Sequence, residues 1–312
     1  MFNIIIENKY FLDDTDGIQK KAVYDNYYYK LDKQGAEGIS EELVSLLLSY
    51  SNLKEEEFVR YEYGKINNQN GCKSSNFLNK DEEFYNFNEL HLLHKEEHLD
   101  WHIRNFSMKE KIEYTISFIK EICNLDITDY LKKCITLDYI VKNIDRHFSN
   151  LGIIFDSEKN IFKPAPIFDN GASLMSTMSI MRTKSIDENL EELKAKPFSD
   201  SINKMYEYFG PGFQVNFKEL LKELEEKYDI KDKEYGYEQL IILKHQANKL
   251  LNSELNLENS LDVKISTLKA EYKVENGKLV LNEAAQKECD KLIKEGIIKD
   301  IRQYPMYKDM QR

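Results

Sequence analysis

Two short apolar runs in the middle of the chain, residues 151–155 and 161–168, are separated by a polar, turn-forming segment. This pattern predicts a β-hairpin. A hairpin returns the chain close to its starting point, so the residues before its first strand come to lie near the residues after its second. No other feature of the chain constrains the fold as much, because it brings Asp145 and Asn150 close to Asp169.

The polar residues on either side of the hairpin are of the types that catalyse phosphoryl transfer. Asp145 is followed five residues later by Asn150, and the hairpin is followed by Asp169 and Gly171. A lone Asp or Asn beside a strand is usually a turn former. Phosphoryl transfer, however, needs a carboxylate directed at the acceptor hydroxyl and further amide and carboxylate oxygens on Mg²⁺. The ordered combination is therefore typical of kinases.

The stretch that contains this pattern resembles a known family. Residues 138–152 (DYIVKNIDRHFSNLG) and 165–174 (APIFDNGASL) are similar to the HipA-type serine/threonine kinases, and the chain length is closer to that of the short, CtkA-type single-chain members. A weaker similarity extends over residues 15–250. The resemblance implies an enzyme that uses ATP and Mg²⁺ to phosphorylate Ser or Thr of a protein substrate, with autophosphorylation.

The resemblance also implies roles for individual residues. Asp145 is the catalytic base, His147 orients the catalytic loop, and Asn150 and Asp169 are the Mg²⁺ ligands. Arg146 is expected to pair with an acidic or phosphorylated group, or to be purely structural.

In the N-terminal part, Lys30 is implied to contact the nucleotide phosphates. Glu41 is our choice for its ion-pair partner. Glu37 and Glu42 remain alternatives, because the sequence does not fix the helix register and an acidic helix start is favourable in itself.

One departure from the ordinary protein-kinase pattern concerns the phosphate-binding loop. The Gly-rich G-x-G-x-x-G sequence is absent, and only Gly17 lies near the expected place. Lys21, together with Lys20, is therefore a candidate for contacting the nucleotide instead, and the alternative is that both are ordinary surface charges.

The resemblance and the length of 312 residues both favour an α+β, bilobal protein-kinase-like fold, because one core rarely grows this large. We expect a small β-rich N-lobe over residues 1–80, a mainly helical C-lobe over 81–255 and a helical C-terminal extension over 256–312. The backbone near 82–84 is expected to meet the adenine edge. The pattern of apolar residues predicts strands over 22–31, 58–63 and 72–78. It predicts helices over 40–50, within 84–143, between the hairpin and about residue 253, and over 282–295.

Composition excludes several classes of protein. The net charge of −11, spread along the chain, disfavours nucleic-acid binding, and no apolar stretch is long enough for a membrane span. The four cysteines form no CxxC pair, so neither a disulfide framework nor a cysteine zinc site is expected, and a cytoplasmic location fits best.

Two further features need an interpretation. His91, His94, His98 and His102 recur at helical spacing near Trp101, but one straight helix generally presents only two neighbours to a metal ion, so a polar-aromatic face is favoured over a zinc site. Residues 171–185 are rich in Ser, Thr and Met, and this is where kinases place an activation segment.

Two other functions remain open. Phosphoinositide kinases also carry Asp-Arg-His-x-x-Asn, so a small-molecule or lipid kinase is an alternative, although lipid kinases usually present a basic surface to the membrane. A non-catalytic nucleotide-binding module is less favoured, because Asp145, Asn150 and Asp169 are all present.

Overall fold

The computed structural model describes residues 1–12, 20–33, 35–231, 234–267, 272–275, 278–281 and 283–294. Gly17, the single glycine near the expected phosphate-binding loop, lies outside the described residues. The chain divides into two compact units, Met1–Asn248 and Lys249–Arg312.

The first unit begins with a mixed five-stranded sheet. Its strand order is β1-β4-β5-β3-β2, with β1 parallel to β4 and the other pairs antiparallel. The strands are β1 (Phe2–Ile4), β2 (Lys21–Tyr24), β3 (Tyr27–Leu31), β4 (Glu62–Ile66) and β5 (Gln69–Ser75).

The strand boundaries differ from those predicted. The single strand predicted over 22–31 is a hairpin, because Asp25 and Asn26 turn the chain with φ angles of 50° and 63°. Likewise, Asn67 and Asn68 (φ 51° and 66°) form a tight turn between β4 and β5, so both of these strands are displaced from the predicted ranges. Asp and Asn tolerate the left-handed region better than most residues.

One helix, α1 (Glu37–Ser49), packs against this sheet and confirms the helix predicted over 40–50. Its apolar face is fully buried at Leu43, Val44, Leu47 and Leu48. At the start of α1 the helix and the sheet approach closely: a Cβ added at Gly38 would lie 2.6 Å from the backbone carbonyl of Gly71 in β5. This close approach sets the distance between the start of α1 and β5.

A second sheet has three antiparallel strands in the order β6-β7-β8. Strands β7 (Gly152–Asp156) and β8 (Ile161–Pro164) form the predicted hairpin, which the structure confirms. Strand β6 (Glu82–Asn86) was not predicted, and helix was expected from residue 84. The pairing of β6 with β7 delays the helix to Phe87, where Asn86 accepts a hydrogen bond from the backbone N–H of Glu89.

The rest of the described chain is mainly helical, as predicted. No helix among the described residues is long and apolar enough to cross a membrane. The helices are α2 (Phe87–Lys95), α3 (Leu99–His102), α4 (Met108–Cys123), α5 (Thr128–Val141), α6 (Ile186–Glu191), α7 (Ile202–Phe209), α8 (Phe217–Lys227) and α9 (Tyr237–Thr267).

The second unit contains a short hairpin that was not predicted, β9 (Tyr272–Glu275) and β10 (Lys278–Leu281). Helix α10 (Glu283–Lys294) confirms the helix predicted over 282–295. The lobe boundaries at residues 80 and 255 remain predictions.

The four histidines do not lie on one continuous helix, because α2 ends before Glu96, which has a φ of 61°. His91 is buried between the Glu97 carbonyl (2.7 Å) and the Tyr114 hydroxyl (3.0 Å). His102 pairs with the Glu97 carboxylate at 2.6 Å. In the part of the chain that the structure describes, no group of three or more His, Cys, Asp or Glu side chains is arranged to hold a metal ion.

We expect Gly38→Ala to lower the free energy of unfolding by about 1–3 kcal/mol, because its methyl group would push α1 away from Gly71. Urea denaturation followed by circular dichroism measures this. The control is Ser49→Ala, at an exposed position of the same helix, which should change stability little. Equal stability of the two variants would contradict the close approach.

Candidate active site

A cavity of about 360 Å³ lies between the five-stranded sheet and the residues that follow β8. Its apolar part includes the rings of Phe77, Phe84 and Phe168, whose centroids lie 5.5–5.8 Å apart. Its charged part contains Lys30 and Asp169. A cavity of this size with an apolar body and a few convergent charges is typical of small-molecule sites.

Lys30 joins the sheet, α1 and the segment after β8 at the charged end of this cavity. Its Nζ lies 3.1 Å from Glu41 Oε1 and 2.7 Å from Asp169 Oδ1. Burial disfavours the charged forms, but the attraction within the cluster prevails: the pKa of Lys30 is raised well above its usual value, and Lys30 lowers the pKa of Asp169 to about 2. Both groups are therefore charged at neutral pH.

The structure settles which glutamate of α1 faces Lys30. Glu41 is almost fully buried, and its second oxygen accepts the backbone N–H of Asn170 at 2.9 Å. Glu37 instead accepts the N–H of Gly35 (3.0 Å), and Glu42 accepts the N–H of Tyr63 (2.6 Å). The two alternatives are thus engaged elsewhere.

Lys21 lines the same cavity. It is the cross-strand partner of Lys30 in the β2–β3 hairpin, and its charge contributes to the low pKa of Asp169. Lys20, by contrast, lies over the ring of Phe11, 4.3 Å from its centroid. Of the two neighbouring lysines, Lys21 is the one placed at the charged end.

Asp145 lies in the loop between α5 and β7, and its backbone is fixed on both sides. Its N–H donates to Asn143 Oδ1 (3.0 Å), and its carbonyl accepts from Asn150 Nδ2 (3.2 Å). The carboxylate is half-exposed and pairs with Lys196 Nζ at 2.8 Å. The loop therefore presents a fixed carboxylate to solvent.

His147 and Asn150 complete this loop. The N–H of Asn150 donates to the His147 carbonyl (2.9 Å), and the Asn150 side chain is buried. Burial lowers the pKa of His147 despite the nearby carboxylate of Asp145, so the imidazole is neutral at neutral pH. The role of His147 in orienting the loop remains a prediction.

Arg146 points away from solvent and is fully buried. Its guanidinium donates to both oxygens of Asp138 in α5 (2.9–3.2 Å), to the Phe168 carbonyl (2.6 Å) and to Asn170 Oδ1 (2.6 Å). Arg146 thus joins the loop of Asp145 to the loop of Asp169. Of the expectations for Arg146, the structure supports an acidic partner in a structural setting.

The expected contact of the backbone near residues 82–84 with the adenine edge remains a prediction. Residues 74–78, at the end of β5 and directly after it, line the cavity, and Phe84 contributes its ring. Glu82 is held in the second sheet by Lys163 (2.5 Å) and Asn79 (2.9 Å). Residues 82–86 form strand β6, and its Phe84 ring reaches the cavity.

The predicted activation segment, residues 171–185, has a packed first half. Ser173 and Ser176 are buried, and the Ser176 hydroxyl donates to the Gly171 carbonyl. The Ser176 carbonyl accepts the N–H of Ala36, at the start of α1 (3.1 Å). Ser179 and Thr183, in the second half, are exposed.

Two tyrosines that sequence reasoning did not single out support α1, one at the helix itself and one through Asp32, whose carboxylate accepts the N–H of Gly38 (2.8 Å). The hydroxyl of Tyr228 donates to Glu42 Oε1 (2.7 Å), and that of Tyr235 donates to Asp32, directly after β3. The Tyr235 ring stacks on Tyr63, with centroids 5.0 Å apart. No local sequence signal marks these tyrosines, because their partners lie far away along the chain.

No family model matches the chain, and no curated protein matches it. Among solved structures, it is similar to the Helicobacter pylori proinflammatory kinase CtkA, with a TM-score of 0.58 and 15% sequence identity, covering 80% of this chain and 95% of that chain. The chain has a kinase-like α+β fold. At this identity the likeness establishes the fold alone, and membership of the HipA-type family remains a prediction.

We expect Arg146→Met to lower the free energy of unfolding by about 3–5 kcal/mol, because it leaves the carboxylate of Asp138 buried without its partner. Urea denaturation measures the loss, and Arg146→Met combined with Asp138→Leu should recover part of it. The control is Arg60→Met, which removes an exposed pair with Glu55 and should cost under about 1 kcal/mol. A similar small loss for Arg146→Met would refute the joining role of Arg146.

Proposed function

We propose that the protein is a kinase that uses ATP and Mg²⁺ to transfer the γ-phosphoryl group to Ser or Thr of a protein substrate. The observation that carries the proposal is the Lys30–Glu41–Asp169 cluster at the charged end of an apolar cavity. A lysine paired with a helix glutamate beside a metal-binding aspartate is the arrangement that positions nucleotide phosphates in protein kinases.

The cavity suits ATP in both its apolar and its charged part. The rings of Phe77, Phe84 and Phe168 provide an apolar surface for a flat base, and Lys30 and Lys21 provide positive charge for the phosphates. The lysines take the place of the missing glycine amides.

Asp169 and Asn150 together supply a donor set that fits Mg²⁺, which prefers oxygen ligands and keeps water and phosphate partners. Asp169 supplies a carboxylate, ionised because of its low pKa. The side-chain nitrogen of Asn150 is engaged with the Asp145 carbonyl, which leaves its amide oxygen as the ligand atom. When bound, Mg²⁺ neutralises charge on the β- and γ-phosphates.

Asp145 acts as the base in this proposal. The oxygen of the substrate hydroxyl attacks the γ-phosphorus, and its proton passes to the Asp145 carboxylate. The bond from the γ-phosphorus to the β–γ bridging oxygen breaks, and its electron pair remains with ADP. The half-exposed position of Asp145 supports a protein as the acceptor, because a residue on a large surface can reach it.

The proposed cytoplasmic location is supported by the described cysteines, Cys72, Cys123 and Cys134, which are free and buried.

A test of the acceptor class is incubation with γ-labelled ATP, Mg²⁺ and a cell lysate, followed by phosphosite mapping. Label found only in lipid or small-molecule fractions would overturn the protein-kinase proposal.

Substitution of Asp145 and of Asp169 should have different effects on phosphoryl transfer and on MgATP binding. Asp145→Asn should reduce transfer by at least about 100-fold with MgATP affinity nearly unchanged, because Asp145 acts on the acceptor. Asp169→Asn should weaken both, because it removes a charged Mg²⁺ ligand and the partner of Lys30. Calorimetry with Mg²⁺ or EDTA and a γ-labelled transfer assay measure the two properties. Wild-type turnover in Asp145→Asn, or equal ATP affinity with and without Mg²⁺, would contradict the assignments.

We expect autophosphorylation on Ser179 or Thr183, because both lie exposed in the second half of the 171–185 segment. Ser173 and Ser176 are buried and should stay unmodified, and the hydroxyl of Ser185 is engaged with Glu188 (2.8 Å). Intact mass and phosphopeptide mapping after prolonged incubation with MgATP measure this. Unchanged mass, or phosphate on Ser173 or Ser176, would show the expectation to be wrong.

A further inference from the structure

The carboxylate of Asp145 receives its cation from outside its own loop. Lys196 Nζ lies 2.8 Å from Asp145 Oδ1, whereas His147 Nε2 lies 3.8 Å from the other oxygen, beyond hydrogen-bond distance. The arginine next to Asp145 is buried and points to Asp138. The contact that fixes the carboxylate itself is thus made by a residue 51 positions further along the chain.

The backbone around Lys196 is anchored to the loop that carries Asp145. Phe198 is 2% exposed, and its ring packs edge-on against Phe148, three residues after Asp145, with centroids 5.5 Å apart. Ala195 is also buried, and its N–H donates to the Asp200 carbonyl at 2.9 Å. The backbones that carry the base and the lysine therefore belong to one packed unit, whereas the ion pair itself is partly exposed, with 56% of the Lys196 side chain and 45% of the Asp145 side chain accessible to solvent.

The position of Lys196 matters for the reaction because Asp145 must approach a group that is itself negatively charged. A carboxylate next to the transferring phosphoryl group repels it, and the repulsion grows as substrate excludes water and screening falls. A lysine on one carboxylate oxygen reduces this repulsion, and it leaves the second oxygen to accept the proton of the substrate hydroxyl.

We propose that Lys196 is a positioning residue for phosphoryl transfer, which fixes the Asp145 carboxylate and compensates its charge while the acceptor hydroxyl attacks. This inference rests on the proposed kinase function. It gives residues 194–200 a role in the chemical step. Nucleotide binding is assigned to the cavity that contains Lys30 and Asp169.

The decisive comparison uses three variants in the γ-labelled transfer assay with MgATP. Lys196→Met should lower kcat roughly 100-fold, as removal of one preorganised charged contact does elsewhere, with little change in KM for ATP. Lys196→Arg, which keeps the charge, should retain a substantial part of the activity. The control is Lys194→Met, two residues away, whose side chain is 80% exposed and 3.6 Å from Asp200, and it should behave as wild type.

The outcomes separate this inference from the proposed function. If wild type transfers phosphate and Lys196→Met matches it, the role of Lys196 is refuted and the kinase function stands. A faster Lys196→Met enzyme would show that the lysine merely covers the base, and would equally refute it. A fall in melting temperature that parallels the loss of activity in both Lys196 variants would indicate a structural role instead. If wild-type protein binds MgATP but transfers nothing to itself or to lysate proteins, both proposals fall.

Discussion

The guanidinium of Arg146 carries a full charge in the protein interior, where an ion is tolerated only if it is paired and hydrogen-bonded. Its partners come from three places: Asp138 in α5, the carbonyl of Phe168, and the side chain of Asn170. Because these contacts join the loop before β7 to the loop after β8, they fix the separation of the two aspartates on which the proposed chemistry depends. They also occupy the arginine that many kinases use to hold a phosphate on the activation segment. A phosphate on residues 171–185 would have to act through another cation.

At the opposite end of the site, the charged side chains pair with one another before any ligand binds. Lys30 is shared by Glu41 and Asp169, so one cation lies between two carboxylates. Such a cluster carries a net negative charge of its own, and a phosphate group approaching it is repelled unless further cations are present. Lys21 on the neighbouring strand supplies one of these, and Mg²⁺ would supply the other. In the proposed function, ATP therefore binds well only together with its metal.

Local sequence was sufficient for the features that are encoded locally. The hairpin follows from two apolar runs and a polar turn, and its position places Asp145, Asn150 and Asp169 at the ends of neighbouring segments. Strand β6 could not be recognised, because its only reason to be extended is a partner strand about seventy residues later in the chain. The choice of Glu41 depends on helix register, which is set by packing against the sheet. Lys196 belongs to a short segment, 196–199, that shares only the weaker part of the family resemblance, and its proximity to Asp145 is a tertiary contact that local sequence does not show.

The two tyrosines that brace α1 have a consequence for the timing of synthesis. Their partners precede them by 186 and 203 residues, so α1 gains this support only after almost the whole first unit has been made. A nascent chain that ends before Tyr228 already contains every residue proposed for catalysis, yet the helix that carries Glu41 lacks this support. During synthesis, α1 would therefore gain these two contacts only after residues 228–235 have emerged.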